Sequence, residues 1–433
     1  MSKRNGRAGR AALLALACLV PALATSGAAA LAPQQSRPAI VNPKTAAVRE
    51  ATAEVLVETS DIRKLPVLRQ VRSGAQTRAE IEQMLVRNLN ESSSPDELRA
   101  TELTLKKLGL LPADFQLRAF LVKLLAEQVA GYYDPKAREF FLADWIDLDG
   151  QKPVMAHELT HALQDQHFNL RRFESWPKHD SDAETAAHAL VEGDAMLVMM
   201  QYVMRSPARQ LAMLKSLVMG GGGSTEVYDK APRVLRETLV FPYTQGAGWA
   251  GQVYRRGGWE MMTAAYKKLP QSTEQILHPE KYFAGESPQR IQLKDISAAL
   301  GRGWRMADHD VNGEWGYYLI LDEFLKEKEA SQRATAGWGG DRFALFTGPR
   351  PGDALIAQKT LWDTDEDARE FFDAYARRTT KRYGAPPASE EADGRLHWAT
   401  PEGGVFIEVA GRSVVVVEGV PEGVKAEALS KAL

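Results

Sequence analysis

The apolar positions of this chain recur at helical spacing up to about residue 330 and at strand-like spacing beyond it. "SSSPDELRATELTLKKLG" (92–109) opens with a serine N-cap, a proline in the first turn and early acids. It closes on Lys106, Lys107 and Gly109, which together predict a helix. "FQLRAFLVKLLAEQVAGYY" (115–133) is apolar at helical spacing, and Asp134-Pro135 turns the chain. "REFFLAD" (138–144) reads as a strand, and another helix starts near 152. "DSDAETAAHALVEGDAMLVMMQYVM" (180–204) predicts a long helix, and "SPARQLAMLKSLVM" predicts another that ends in the flexible break "GGGGS". Residues 225–330 read as mostly helical. After about 335 the pattern changes: "RFALF", "ALIAQKTLW", "RLHWAT", "GVFIEVA" and "SVVVVEG" alternate or run apolar like strands. Between them, "DTDEDAREFFDAYARRTTKRYG" has acids first and bases last, as a capped helix does. The expected fold class is α+β: a mainly helical core with a short sheet, then a small C-terminal α+β domain.

The first residues change the picture of where the chain works. "MSKRNGRAGR" carries Lys3, Arg4, Arg7 and Arg10 and no acid. A short apolar run follows, then the small residues of "TSGAAALA", the order of a secretory signal peptide. The run is too short for a transmembrane anchor and contains Pro21. The expected organisation is a signal peptide over 1–32, a linker and N-terminal helical region over 33–110, a core over 111–334 and the C-terminal domain over 335–433. Within the second region, 33–50 is rich in Pro, Ala and polar groups and reads as linker. The region could also act as a propeptide, which predicts latency until it is cut away. Export makes the mature protein periplasmic, surface-held or extracellular. The only cysteine, Cys18, lies in the signal; lipidation there is a minor alternative, because "ALAC" lacks a leucine three positions before it. A mature chain without thiols has no disulfides and excludes cysteine catalysis and Cys-ligated zinc.

The chain has 54 basic and 56 acidic residues; without the four signal basics it stands at about −6, which gives no electrostatic case for nucleic acid. No other apolar run is long enough to span a membrane.

The candidate chemistry lies in "PVMAHELTHALQDQHFNL" (153–170), where His157, Glu158 and His161 spell H-E-x-x-H. Positions i and i+4 share a helix face, so both imidazoles can reach one metal ion. Glu158 can then serve as general base and acid toward a water that the ion activates. The bland alternative is a helix carrying two histidines; the apolar "VMA" and "LTHAL" argue for a buried motif instead. A catalytic zinc needs a third protein ligand. His167 stands at the metzincin position, but Gln164 replaces the glycine that would turn the chain there, so the helix carries His167 past the metal. On the next long helix Glu184, His188 and Glu192 lie four apart on an otherwise apolar element, where an acid costs free energy unless paired or metal-bound. Glu192 is assigned as third ligand, with His188 and Glu184 as alternatives. Gly193 allows close approach of the helices, and Asp194 is placed to orient a ligand histidine. Candidate oxyanion donors are Tyr243, His278 and Tyr282, each also readable as structural.

"HELTH" followed by a helical glutamate resembles the gluzincin branch of the zincin metallopeptidases. The phrases "EQVAGYYDPKAREFFL", "HELTHALQDQHF", "ALVEGDA", "LPQSTEQILHPEKY" and "AGWGGDR" also resemble a set of secreted bacterial and archaeal proteins. The likeness covers roughly residues 120–345. It implies a zincin-like metallopeptidase core with an edge strand ("REFFLAD") that pairs with extended substrate, the motif helix, and a second helix bringing Glu192. Two departures from that pattern stand out: a loop over 169–180 lengthens the spacing to the glutamate, and "VEGDA" replaces N-E-x-x-S-D. The resulting expectation is an exported Zn2+-dependent peptidase acting on protein or peptide. The alternative is a zinc-containing envelope binding or assembly protein that keeps the fold, and a third possibility is a metal-dependent hydrolase of another bond.

Overall fold

The computed structural model describes residues 43–175, 179–218, 226–391 and 394–433. The segment read as a signal peptide, Cys18, the first part of the expected linker and the "GGGGS" run lie outside them. The fold is α+β. No described helix is long and apolar enough to cross a membrane.

Helix α1 spans Pro43–Arg63, so residues 43–50, expected as linker, are its first turns. Its buried positions Val48, Ala51, Val55, Leu56 and Ile62 follow helical spacing and give it one apolar stripe. Strand β1 (Arg72–Gln76), α2 (Arg78–Ser92) and α3 (Pro95–Lys107) follow. Both helices begin with reciprocal capping boxes, Thr77 with Glu80 and Ser94 with Glu97. Helix α4 (Leu117–Gln128) stops short of the "GYY" that was read as its end. Those residues open strand β2 (Gly131–Asp134), which turns at Pro135 into β3 (Glu139–Ala143). The β-propensity of paired tyrosines and the hairpin partner outweigh helical periodicity there.

These three strands form a sheet in the order β1-β3-β2, with β3 parallel to β1 and antiparallel to β2. This corrects the reading of "REFFLAD" as the edge strand. Residues 72–76 add a strand on its far side, and β2 is the edge beside the motif helix α5 (Lys152–Phe168). Phe140 and Leu142 of β3 share one core with Met155, Leu159 and Leu163 of α5 and with Val48, Val55 and Ile62 of α1. Helix α6 (Ser181–Met204) lies against α5, and α7 (Pro207–Val218) follows it. Helix α8 (Arg233–Ala265) crosses α6 and is kinked at Gly257 and Gly258.

The remainder builds on a seven-stranded antiparallel sheet in the order β4-β5-β6-β10-β9-β8-β7. Its strands are β4 (Arg305–Asp310), β5 (Trp338–Thr347), β6 (Ala354–Trp362), β7 (Ser389–Glu391), β8 (Arg395–Thr400), β9 (Gly403–Ala410) and β10 (Ser413–Val420). Helices α9 (Gly313–Leu325) and α10 (Asp365–Tyr383) share a core with Val414 and Val416. Val415 and Val417 point to the other face, against Leu300, Ala426 and Leu429. Both faces of β10 are covered, which is why its sequence is a continuous valine run. The half-polar "RMADHD" of β4 shows no alternation of apolar residues and falls in the stretch whose pattern reads as mostly helical, which the strand corrects.

Candidate metal centre

Helix α5 places His157, Glu158 and His161 fully inside the protein, none more than 1 % exposed. The Nε2 atoms of the two histidines are 3.1 Å apart. Glu192 of α6, also fully buried, brings Oε2 to 3.0 Å from His157 Nε2 and 3.4 Å from His161 Nε2. Zinc bonds of about 2.0–2.1 Å in tetrahedral geometry require donor separations of about 3.3 Å. The triangle is therefore the size of a zinc-binding face. Glu158 belongs to the same cluster, with ligand-type atoms of His157, Glu158 and His161 all within 4.8 Å of one another. Its Oε2 accepts a hydrogen bond from the Tyr133 backbone N–H of β2 at 3.0 Å. Oε1 of Glu158, Oε1 of Glu192 and Nδ1 of His157 are buried with no hydrogen-bond partner. Orphaned polar atoms of this kind are costly unless a guest satisfies them.

The charges are arranged accordingly. Burial pushes the Glu158 carboxyl up to about 8, with Glu192 adding to the effect and His161 opposing it. Burial also opposes ionisation of Glu192, but His161 and His157 outweigh it and hold that carboxyl down at about 2. His161 goes the other way: burial lowers it, yet Glu192 and Glu158 raise it to about 9. Burial keeps His157 below its ordinary value. Without a cation, a proton on His161 balances Glu192.

The approach of α6 to its neighbours depends on two glycines. A Cβ on Gly193 would lie 2.1 Å from the Gly246 carbonyl oxygen, and one on Gly246 would lie 2.3 Å from that of Ala189. The expected role of Gly193 in close helix approach holds, with α8 as the partner. One turn before Gly246, Tyr243 brings its ring centroid to 6.0 Å from that of His157.

Behind the histidines lies a network of which sequence reasoning named only Asp194. His161 Nδ1 pairs with Gln164 Oε1 at 2.8 Å. Gln164 Nε2 donates to the Val191 carbonyl at 3.0 Å and to Asp194 Oδ2 at 3.1 Å. Asp194 in turn accepts from Arg63 Nε at 2.6 Å and from the Tyr266 hydroxyl at 2.9 Å. Asp194 thus supports His161, but through Gln164 rather than directly. A polar residue three positions after His161 was the available signal for Gln164; nothing local marks Arg63 or Tyr266.

Other candidates fall elsewhere. His167 pairs with the Pro66 carbonyl at 2.8 Å, so the helix does carry it past the triangle. His188, 8 % exposed, sits one turn before Glu192; burial pushes its imidazole down to about 4, and its Nδ1 has no partner. Burial pushes Glu184 up to about 8, with Asp310 and Asp180 as its charged neighbours. His278 is not drawn to the triangle: its Nε2 pairs at 2.9 Å with Glu314 of α9, a nearly buried carboxylate that needs a partner. Tyr282 donates to the Lys268 carbonyl at 2.8 Å and packs edge-on against Trp249, a structural role. Of the oxyanion candidates only Tyr243 lies at the histidines. A surface cavity lined by Asp114, Phe115, Gln116, Ala119, Phe120 and Lys123 involves none of these residues.

Residues 302–430, the strand-rich C-terminal part, match a family described as a domain of unknown function (DUF8575). The match leaves His157, Glu158, His161 and Glu192 outside it. No curated protein and no solved structure matches the chain.

Proposed function

We propose that the protein is an exported zinc metallopeptidase of gluzincin type, with His157, His161 and Glu192 as metal ligands and Glu158 as general base and acid. The observation that carries this reading is the buried triangle of donor atoms, 3.0 to 3.4 Å on a side, with the unpartnered Glu158 Oε1 beside it. A zinc ion held there supplies Lewis acidity, activating water and polarising a peptide carbonyl.

The chain's own residues do the rest. The Tyr133 N–H holds Glu158 Oε2 and leaves Oε1 to take the proton of the attacking water. The same carboxyl then gives that proton to the departing amine, so no net proton is gained or lost. A cation in the triangle acts on Glu158 in the same sense as protonated His161, favouring the carboxylate it needs as a base. The packing of the Tyr243 ring beside His157 supports a role for its hydroxyl in steadying the substrate oxygen. Strand β2 is the sheet edge beside α5; its Tyr133 N–H is taken by Glu158, so an extended peptide would pair there through the remaining outward backbone groups.

One observation favours a second reading. All four central residues are at most 1 % exposed, a closure that suits a zinc-containing binding or assembly protein of the envelope.

The two are separated by elemental analysis and casein cleavage on wild type, Glu192→Ala and Glu158→Gln. The peptidase reading expects about one zinc in wild type and its loss in Glu192→Ala. It further expects Glu158→Gln to keep zinc while cleavage drops by about 10²–10⁴-fold. Zinc without cleavage of any protein substrate favours the binding module, and absence of zinc from wild type ends both.

A further inference from the structure

We propose that the N-terminal helix α1 is a working part of the metal centre: Arg63, acting through Asp194 and Gln164, positions His161 for the cation. The proposal rests on the zinc reading above. It extends that reading to a segment whose sequence suggested a linker or a removable propeptide.

The polarity of the hydrogen bonds carries the inference. Gln164 Nε2 faces two acceptors, the Val191 carbonyl and Asp194 Oδ2, at 3.0 and 3.1 Å. A side-chain amide has one donating end and one accepting end, so this fixes which way it points. Oε1 must then face His161 Nδ1, which carries the hydrogen at 2.8 Å. His161 Nε2 is left as the nitrogen aimed at the triangle, the tautomer that a metal ligand requires. Asp194 keeps Gln164 in that orientation only while it accepts. Arg63 Nε at 2.6 Å and the Tyr266 hydroxyl at 2.9 Å both donate to it. Gln164, Asp194, Arg63 and Tyr266 are at most 1 % exposed, so water does not substitute for any of them.

Arg63 is itself fixed. Its Nη1 donates to Thr263 Oγ1 at 3.2 Å and its guanidinium lies 4.8 Å over the Trp259 ring. It is the last residue of α1, whose apolar stripe is embedded in the core that also holds the motif helix. A segment that imposes latency would put a group into the donor triangle. Helix α1 instead braces a ligand from behind, so its removal dismantles the centre rather than opening it. Arg63 is a positioning residue, not a catalytic one.

The test is zinc affinity by chelator competition on the mature full-length protein, at a temperature where circular dichroism shows each variant folded. Arg63→Met and Gln164→Met should each bind zinc about 10- to 100-fold more weakly. Arg63→Lys, which keeps the charge but not the Nε geometry, should fall between, and Tyr266→Phe should show a smaller loss. Because the residues act in series, the double variant Arg63→Met/Gln164→Met should bind no more weakly than Gln164→Met alone. Should Arg63→Met not fold, Arg63→Lys and Tyr266→Phe carry the same comparison. Wild-type affinity in folded variants, or losses that multiply in the double variant, overturns the relay. Absence of zinc from the wild type overturns the metal-centre reading itself and the relay with it.

Discussion

Three donor atoms gathered within 3.4 Å of one another in the protein interior form a stable arrangement only with a positive charge among them. In the metal-free protein the proton on His161 supplies it. Its value of about 9 lies above the ordinary 6.5, so the proton is present at neutral pH, and a zinc ion bound there as proposed would displace it. Apparent zinc affinity should therefore rise about tenfold per pH unit from neutrality and level off near pH 9. Glu192, held near 2, adds no slope in this range, while Glu158, up at about 8, steepens it wherever the cation drives off its proton. Chelator competition across that range checks the slope; a flat profile would mean that His161 is neutral in the free protein. The same pair affects metal-free stability: its contribution is full between about 4.5 and 6.5, is lost as pH rises through about 9, and is lost again as pH falls through about 2. At this scale the chemistry was legible where it is local. The i, i+4 histidines and a glutamate on an apolar helix announce themselves, because burying them is costly unless they pair. In sequence Gln164 stands out only as the residue in place of a glycine, although its amide is what holds the His161 ring. Tyr243 and His278 looked alike in sequence, and only tertiary packing separates the one beside His157 from the one beside Glu314.

Between elements, the centre depends on how closely α6 and α8 cross. Gly193 and Gly246 face each other there, so the backbone of one helix fills the space where the other's side chain would be. Gly193→Ala forces a Cβ to within 2.1 Å of the Gly246 carbonyl oxygen, and backbone cannot yield as a flexible side chain can. The variant should lose about 1–3 kcal/mol in denaturant unfolding. It should also bind zinc more weakly, because a shift of α6 moves Glu192 relative to the histidines of α5; stability unchanged within error would count against the crossing. The sequence marked Gly193 as a point of close approach but could not name the partner, which lies 53 positions away. Strand order was hidden for a similar reason. "REFFLAD" carries the signature of a strand, but its position within a sheet depends on β1, whose "RSGAQ" is too short and too polar to register as a strand. Capped helices were the most legible elements, since Ser94, Thr364 and Gly384 state their boundaries locally.

Across the whole molecule, the part that matches a domain family is not a detachable appendage. Asp310 at the end of β4 accepts from the Ser181 backbone N–H at 2.9 Å, tying the sheet to the first turn of the helix that carries Glu192. Gly313, with φ 70°, opens α9 so close to Asp182 that a Cβ there would lie 1.7 Å from its carboxylate. On another side Lys107 at the end of α3 donates to the Glu402 carbonyl at 2.8 Å, and Arg378 of α10 donates to the Leu108 carbonyl. Arg378 also pairs at 2.8 Å with Glu418 of β10, both fully buried. Its guanidinium therefore links the C-terminal sheet to the N-terminal helices. Removing one partner of such a pair costs about 3–5 kcal/mol, because the other charge is left buried alone. If the two parts fold as one unit, Arg378→Met lowers the temperature of a single calorimetric transition and takes the metal centre with it. If the C-terminal sheet is thermally independent, the variant splits the melt in two and leaves zinc bound through the first step. The contacts at Ser181 and Leu108 predict the single transition.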